Sequence, residues 1–454
     1  DVYKRQVQGS VSFKRKVLLR KLSALADLAG MPSRLVVGFS GGLDSSVLLH
    51  ALASSQSKLG TSLQAVYIDH GLHDDSRSWG QHCAGFAAEL GVDFRQVEVD
   101  VDTATGLGTE AAARSARYDA FRSMVQDGDW LLSAHHKDDQ AETLLLNLLR
   151  GSGPAGLAGI GEVQPFAAGW LVRPLLEFSR RDLQAYATRH ELVWIDDPSN
   201  EDRQFDRNYL RHEVLPRLEQ RWPEASSRIR QSALLASEAA AMLDQLADID
   251  LQQLGQRPER LSLAGLRALP SERQRNVFRY VVRELGYPAP PAPQLRNIVS
   301  ELIPARDDAQ PLITWNGVEV RRYRDNVYVL PAMPGTADAQ SACMENGVLR
   351  PGPGMGELQL RTGAPEGLAD AIVASGLEIR YRRGGETLKL PDQSHTKKLK
   401  KLLQDAGIVP WMRDRLPLVY AGDELVAVAD LWLAADAVST PGTAIVWKNR
   451  PPIH

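Results

Sequence analysis

The chain has 454 residues, a hydrophobic share of 43% and a formal net charge of −3, so it is too long for one ordinary core and implies two or three domains. Its two cysteines, Cys83 and Cys343, are far apart; they exclude a disulfide scaffold, a CxxC zinc or iron-sulfur site and a persulfide relay, and fit a reducing, cytoplasmic compartment. No apolar run approaches a bilayer span, and the small net charge does not speak to local patches. Residues 1–6, without an initiator Met, read as a fragment end or foreign leader and are set aside.

From about residue 33 to 136, strand-like and helix-like patterns alternate, which predicts an α/β fold with a doubly wound, mostly parallel sheet. Strands are expected at 35–39, 63–69, 94–99 and 130–134, and helices at 45–54, 76–90 and 109–125. Ligands of such sheets sit beyond the carboxyl ends of the strands. Ser40, Asp69-His70 and His135-His136 each fall just past such an end. After Pro223 an alanine- and leucine-rich helix is expected over 229–254 and another over 272–285, stopped by the prolines around Pro288. Residues 312–315 and 318–330, the latter broken near Arg324-Asp325-Asn326, read as a small strand pair, and 331–346 as a linker. The expected domains are a catalytic one at 1–222, a mainly helical one at 223–335 and a small mixed α/β one at 346–454.

The most informative run is Ser40-Gly41-Gly42-Leu43-Asp44-Ser45, which joins a buried strand to a helix. Such a turn gathers backbone N–H donors and a helix N-terminus at one point, favouring anionic oxygen. No lysine follows the glycines, so it is not the GxxxxGK[ST] loop. It resembles the pyrophosphate loop of N-type ATP pyrophosphatases, which cleave ATP between the α and β phosphates. A plain glycine turn is the alternative.

The second signal is His135-His136-Lys137-Asp138-Asp139-Gln140-Ala141-Glu142-Thr143. A helix starting near Lys137 places Asp138, Asp139 and Glu142 on one face, where like charges repel unless a cation lies between them. That cation is a metal ion, a lysine substrate or an arginine. Acidic N-capping explains one Asp but not the whole cluster. Carboxylates without cysteine suit Mg²⁺ bound with ATP phosphates better than a dedicated zinc site. Arg114 and Arg117, on the 109–125 helix, are candidates for a phosphate or carboxylate, against the ordinary case of solvated arginines.

These two motifs, with Arg150-Gly151-Ser152-Gly153, Arg173-Pro174-Leu175-Leu176, the stretch 194–211, Arg382-Arg383-Gly384-Gly385-Glu386, His395-Thr396-Lys397-Lys398-Leu399-Lys400 and residues 410–417, resemble the bacterial tRNA(Ile)-lysidine synthases over nearly the whole chain. One departure is His73, where many relatives carry arginine. The resemblance implies ATP and Mg²⁺ as cofactors, L-lysine and an isoleucine tRNA with a CAU anticodon as partners, and a homodimer in some members. It implies adenylation of the C2 oxygen of the first anticodon cytidine, then attack by the lysine ε-amine. Ser40, Gly41, Gly42, Leu43, Asp44 and Ser45 are then expected to bind ATP. Asp44, Arg114, Asp138, Asp139 and Glu142 are the expected catalytic set, with individual roles and metal ligands unassigned.

Between residues 378 and 415 there are ten Lys/Arg against five Asp/Glu. This local excess, with His395 and Trp411 as stacking partners, is expected to meet RNA. Arg203, Arg207, Arg211 and Arg217 form a second expected basic patch. The rivals are a tRNA thiolase, which lacks its cysteines here, a glutamine-dependent amide ligase, which lacks an amidotransferase domain, and a tRNA-binding module with a vestigial loop. The intact Ser40, Asp44 and Ser45 speak against the last.

Overall fold

The computed structural model describes residues 12–73, 75–101, 108–306, 309–333, 342–343, 348–352, 354–451 and 453. The expected leader at 1–6, and the linker at 331–346 apart from 331–333 and 342–343, lie outside them. The chain divides into two compact units, Asp1–Leu243 and Asp244–His454.

In the first unit the strands are β1 (Arg34–Gly38), β2 (Ser62–Asp69), β3 (Asp93–Glu98), β4 (Trp130–Leu132), β5 (Val163–Phe166) and β6 (Gly169–Val172), in the order β3-β2-β1-β4-β6-β5. All neighbours pair parallel except β5, which closes the edge antiparallel to β6. The helices are α1 (Arg15–Ala29), α2 (Leu43–Ala53), α3 (Gln56–Leu59), α4 (Ser76–Glu89), α5 (Thr109–Met124), α6 (Lys137–Leu149), α7 (Pro154–Leu157), α8 (Arg180–Arg189), α9 (Asp206–Tyr209) and α10 (Leu215–Arg221). A longer helix, α11 (Ala225–Gln253), contains the division between the units.

Alternation along the strands explains the layering. Leu35, Val37, Ala65 and Leu132 face one side and pack with Leu48, Leu52, Phe178 and Tyr186 of the helical layer. Val36, Val66, Ile68 and Leu131 face the other, against Phe121 and Val125 at the end of α5. Because β1 connects outward to β2 and the chain then returns to β4 on its other side, the two strands flank a topological switch point, where a crevice opens beyond their carboxyl ends. Ser40 follows β1 and Ser133 follows β4 at that crevice.

In the second unit β7 (Arg260–Ser262), β8 (Leu312–Trp315), β9 (Val318–Tyr323) and β10 (Asn326–Pro331) form a sheet of order β7-β10-β9-β8. The expected strand pair is three strands, β8, β9 and β10, the break expected near Arg324 falling at a turn where Arg324 has φ 50°, and β7 adds a fourth strand that was not expected. Helices α12 (Leu263–Ala268), α13 (Ser271–Glu284) and α14 (Ala292–Asn297) cover it through Phe278, Val281 and Leu295. The C-terminal part adds short antiparallel strands and the basic helix Leu399–Asp405.

Trp411 corrects the sequence reading: it is no open stacking partner. Its ring lies edge-on to Tyr323 and Tyr328, at 6.3 and 5.2 Å, with the Arg321 guanidinium 5.4 Å away. It packs the C-terminal part onto the four-stranded sheet, while His395 stays exposed. No helix among the described residues is long and apolar enough to cross a membrane.

Candidate active site

The loop after β1 is held from behind and open in front. Gly41 has φ +76°, and a Cβ there would lie 2.5 Å from Ile195 Cδ1 and 2.9 Å from Cys83 Sγ, so only glycine fits. Its carbonyl accepts hydrogen bonds from the Ile195 amide (2.9 Å) and the Ser46 hydroxyl (3.2 Å). Ser45 Oγ donates to the Gly42 carbonyl at 3.1 Å and sits 3.2 Å from Ser40 Oγ. Gly42 is the N-cap of α2 and has no side chain to satisfy the first-turn amides. Those donors are left for an anion. Cys83 beneath the loop is fully buried, which pushes its thiol up to about 12.

Asp44, in the first turn of α2, places Oδ2 3.5 Å from His136 Nε2, while its Oδ1 is buried with no hydrogen-bond partner. His136 is the N-cap of α6: its Nδ1 accepts from the Asp138 amide, and its own amide donates to Asp139 Oδ2. Nε2 then carries the proton that faces Asp44 and Asp139, each 3.5 Å away. Burial opposes a charge on this ring, but Asp139, then Asp44 and Asp138, hold its pKa up at about 9. A second proton would have to take Nδ1 from the Asp138 amide and turn it to the Asp138 carboxylate, 3.7 Å away. Neighbouring His135 is the reverse case. Burial pushes it down to about 3, and Ser133 Oγ lies 2.6 Å from its Nδ1.

The cation between the carboxylates of α6 is arginine. Glu142, fully buried, receives Arg207 Nε on Oε2 and Arg211 Nε on Oε1, both at 2.7 Å. Asp139 Oδ1 lies 3.4 and 3.2 Å from the Nη2 atoms of the same arginines. The expected basic patch is thereby corrected: Arg207 and Arg211 are turned inward, and Arg203 and Arg217 share Glu213. Asp138 is different. Its Oδ2 accepts the Arg180 amide at 2.8 Å, and among the described residues it has no arginine or lysine partner. It lines a polar groove of about 980 Å³ with Glu177, Arg180, Glu219 and Arg230.

Arg114 stands apart from this cluster. It lies over the Tyr118 ring at 5.1 Å, beside a cavity of about 110 Å³ whose wall includes Ser40, Ser133 and His135 and whose floor is apolar, with Val66, Ile68 and Leu171. Arg117 Nε donates to His70 Nε2 at 3.2 Å; burial and then this guanidinium push His70 down to about 4, so it stays a neutral acceptor. His73 stacks on Trp79, ring centres 4.8 Å apart.

Comparisons with known proteins agree with this geometry. A model described as the PP-loop domain matches residues 15–218, one described as the TilS substrate binding domain matches 261–328, and one described as the TilS substrate C-terminal domain matches 377–447. The tRNA(Ile)-lysidine synthase of Alkalilimnicola ehrlichii is 42% identical over 96% of this chain and 97% of its own length. That of Xanthomonas campestris is 41% identical over 93% and 97%. The chain belongs to the tRNA(Ile)-lysidine synthase family. The lysidine synthase of Pectobacterium atrosepticum is 39% identical over 92% of this chain and 95% of its own. Among solved structures, the U34-tRNA thiolase NcsA of Methanococcus maripaludis matches at TM-score 0.41 and 17% identity over 50% of this chain and 86% of that one, too distant to bear on chemistry.

In this lysidine synthase family chain the loop reaches His136 through Asp44, Asp138 and Asp139 meet the same ring, and Glu142 joins Asp139 through Arg207 and Arg211, whereas Arg114 borders the neighbouring cavity. The reading from sequence missed the part of His136 as the bridge and of Ile195 as the clamp. His136 was visible as an N-cap three residues before Asp139, the spacing of a capping box.

Proposed function

We propose that this chain is a tRNA(Ile)-lysidine synthase that ligates L-lysine to C2 of the cytidine in the CAU anticodon of an isoleucine tRNA, working in the cytoplasm. The observation that carries the reading is the pyrophosphate loop joined through His136 to the carboxylates of α6. In the first step the cytidine C2 oxygen attacks the α phosphorus of ATP and pyrophosphate leaves. In the second the lysine ε-amine attacks C2, AMP leaves with the oxygen, and the amine loses a proton.

The open amides of α2 and the hydroxyls of Ser40 and Ser45 suit the leaving pyrophosphate, and the cavity beside Arg114 suits the adenosine and α phosphate. Mg²⁺ fits this donor set. Asp44 Oδ1 is a buried carboxylate oxygen without a partner, and among the described residues no group of three or more His, Cys, Asp or Glu holds a metal unaided, which matches a cation bound by one or two carboxylates plus phosphates. When bound, it neutralises charge on the departing phosphates. Asp44 would hold it, and Asp138, which has no arginine or lysine partner among the described residues, is the other carboxylate free to contribute.

The ε-ammonium of lysine is assigned to the groove lined by Asp138, because Asp139 and Glu142 are already neutralised by Arg207 and Arg211. Asp139 is held below the usual carboxylate range by His136 first among its charged neighbours, against burial, so it is a poor proton acceptor. The three functional segments are 1–222 for catalysis, 223–335 and 346–454 for tRNA, and homodimerisation belongs to the same reading.

Incubation with labelled lysine, ATP and a CAU-anticodon isoleucine tRNA should place label in the RNA with release of AMP and pyrophosphate. Folded, ATP-binding protein that leaves the RNA unlabelled sinks the reading. A second expectation concerns the C-terminal lysines. Arg380 and Arg382 are paired to acids, whereas Lys397, Lys398, Lys400 and Lys401 have no ion pair among the described residues and three of them are exposed. Changing all four to glutamine should weaken tRNA binding and flatten its salt dependence, the log-log slope falling by about 0.7 to 0.9 for each phosphate no longer neutralised. An unchanged slope assigns the helix a purely structural role.

A further inference from the structure

Beside the small cavity stands a charge that the chemistry above leaves unused. Arg173 follows β6, which pairs parallel with β4, and the Ser133 amide donates to the Val172 carbonyl at 3.0 Å. Ser40, Ser133 and Arg173 therefore come just after three adjacent strands, β1, β4 and β6, at one edge of the sheet. Arg173 is 5% exposed. Its Nη1 donates to the Gly161 carbonyl at 2.7 Å and to Gln164 Oε1 at 3.2 Å, and its Nε is buried with no hydrogen-bond partner. It also interacts with the Tyr118 hydroxyl.

None of these partners is a carboxylate. Burial pushes the Arg173 pKa down, Tyr118 works against that, and Arg114, a second cation, adds to it; among the described residues no Asp or Glu bears on the charge. A neutral donor could hold the oxygens of Gly161 and Gln164, and a buried charge without a counter-ion is costly. What a charge adds over a neutral donor is attraction for an anion. Tyr118 links that charge to the cavity: Arg173 engages its hydroxyl, the Arg114 guanidinium lies 5.1 Å from its ring centre, and Tyr118 and Arg114 both line the space of about 110 Å³. The lining holds Arg114 and Arg117 and no Asp or Glu.

We propose that Arg173 is a positioning residue for the α phosphate of the nucleotide, holding Tyr118, and with it Arg114, in place to meet that phosphate. The phosphate offsets the repulsion between the two guanidinium groups, so both can be kept close to one ring. Negative charge on the α phosphate oxygens grows as the cytidine C2 oxygen attacks, and a seated Arg114 counts most at that moment. The inference rests on the nucleotide placement proposed above.

The test uses the full chain with AMP, which carries the α phosphate, and adenosine, which does not. Wild-type protein should bind AMP at least about 10-fold more tightly. Arg173→Gln should weaken AMP binding by about 5- to 20-fold while adenosine stays within about twofold, and Arg173→Lys, which keeps the charge, should stay within about threefold for both. In the Arg114→Gln background, Arg173→Gln should change AMP affinity by less than about twofold, because its effect runs through Arg114. Full additivity overturns positioning in favour of direct phosphate contact. Equal loss of AMP and adenosine, in the lysine variant as well, overturns it in favour of a structural clamp on Gly161 and Gln164. Unchanged AMP affinity in Arg173→Gln overturns it outright. Wild type that binds ATP without preferring AMP to adenosine gives a different signature: the α phosphate then lies elsewhere, and the nucleotide placement falls together with this inference.

Discussion

Asp44→Ala should abolish pyrophosphate release, lowering its rate by about 10³-fold or more, while tRNA affinity stays within about twofold. Asp44 sits in the first turn of α2 with one oxygen toward His136 and the other buried and unpartnered. A buried, unpartnered carboxylate oxygen is costly unless a ligand completes it. In the proposed reaction that completion is the cation accompanying the ATP phosphates, and its value is greatest as negative charge collects on the leaving pyrophosphate. tRNA affinity, which the proposed function assigns to basic surface such as Lys397 to Lys401, should have no such dependence. Measuring pyrophosphate release beside tRNA binding separates the two. Loss of both together would make Asp44 a structural partner of His136 instead.

Glu142→Gln should act on folding first. Glu142 is fully buried and takes both arginines through both of its oxygens, so the neutral amide leaves two guanidinium groups sharing only Asp139. Removing one member of such a buried group costs about 3–5 kcal/mol. The measurable result is a lower midpoint and an unchanged slope in urea unfolding of the Asp1–Leu243 transition. Arg207→Met in the Glu142→Gln background should recover part of the loss, because it removes one uncompensated charge. A Glu142→Gln protein as stable as wild type, but inactive, would instead move Glu142 into direct contact with substrate.

The parallel sheet and its loop were readable because their signals are local. β1 and β2 are short apolar runs that end in glycine or in Asp69-His70, and Ser40 to Ser45 carries its chemistry within six residues. The arginine partners of α6 were not readable. Arg207 and Arg211 lie 65 and 69 residues from Glu142, and a stretch of arginines reads as surface until the fold supplies buried acids. Trp411 misled for the same reason, since only the four-stranded sheet shows what covers it. The β5–β6 edge was missed because its strands are four residues each, too short for a clear alternation. Helix α1 had the pattern, with Leu18, Leu22, Leu25 and Ala29 buried on one face, but it stands next to the part of the chain set aside as a leader.

The thiol of Cys83 gives the ATP loop an internal clock. Sealed under Gly41 and kept protonated by burial, it meets an alkylating reagent only when the loop or the Ile195 clamp lifts away. With Cys343 replaced, the labelling rate of Cys83 in the folded protein reads the frequency of that opening, and nucleotide that closes the loop slows it.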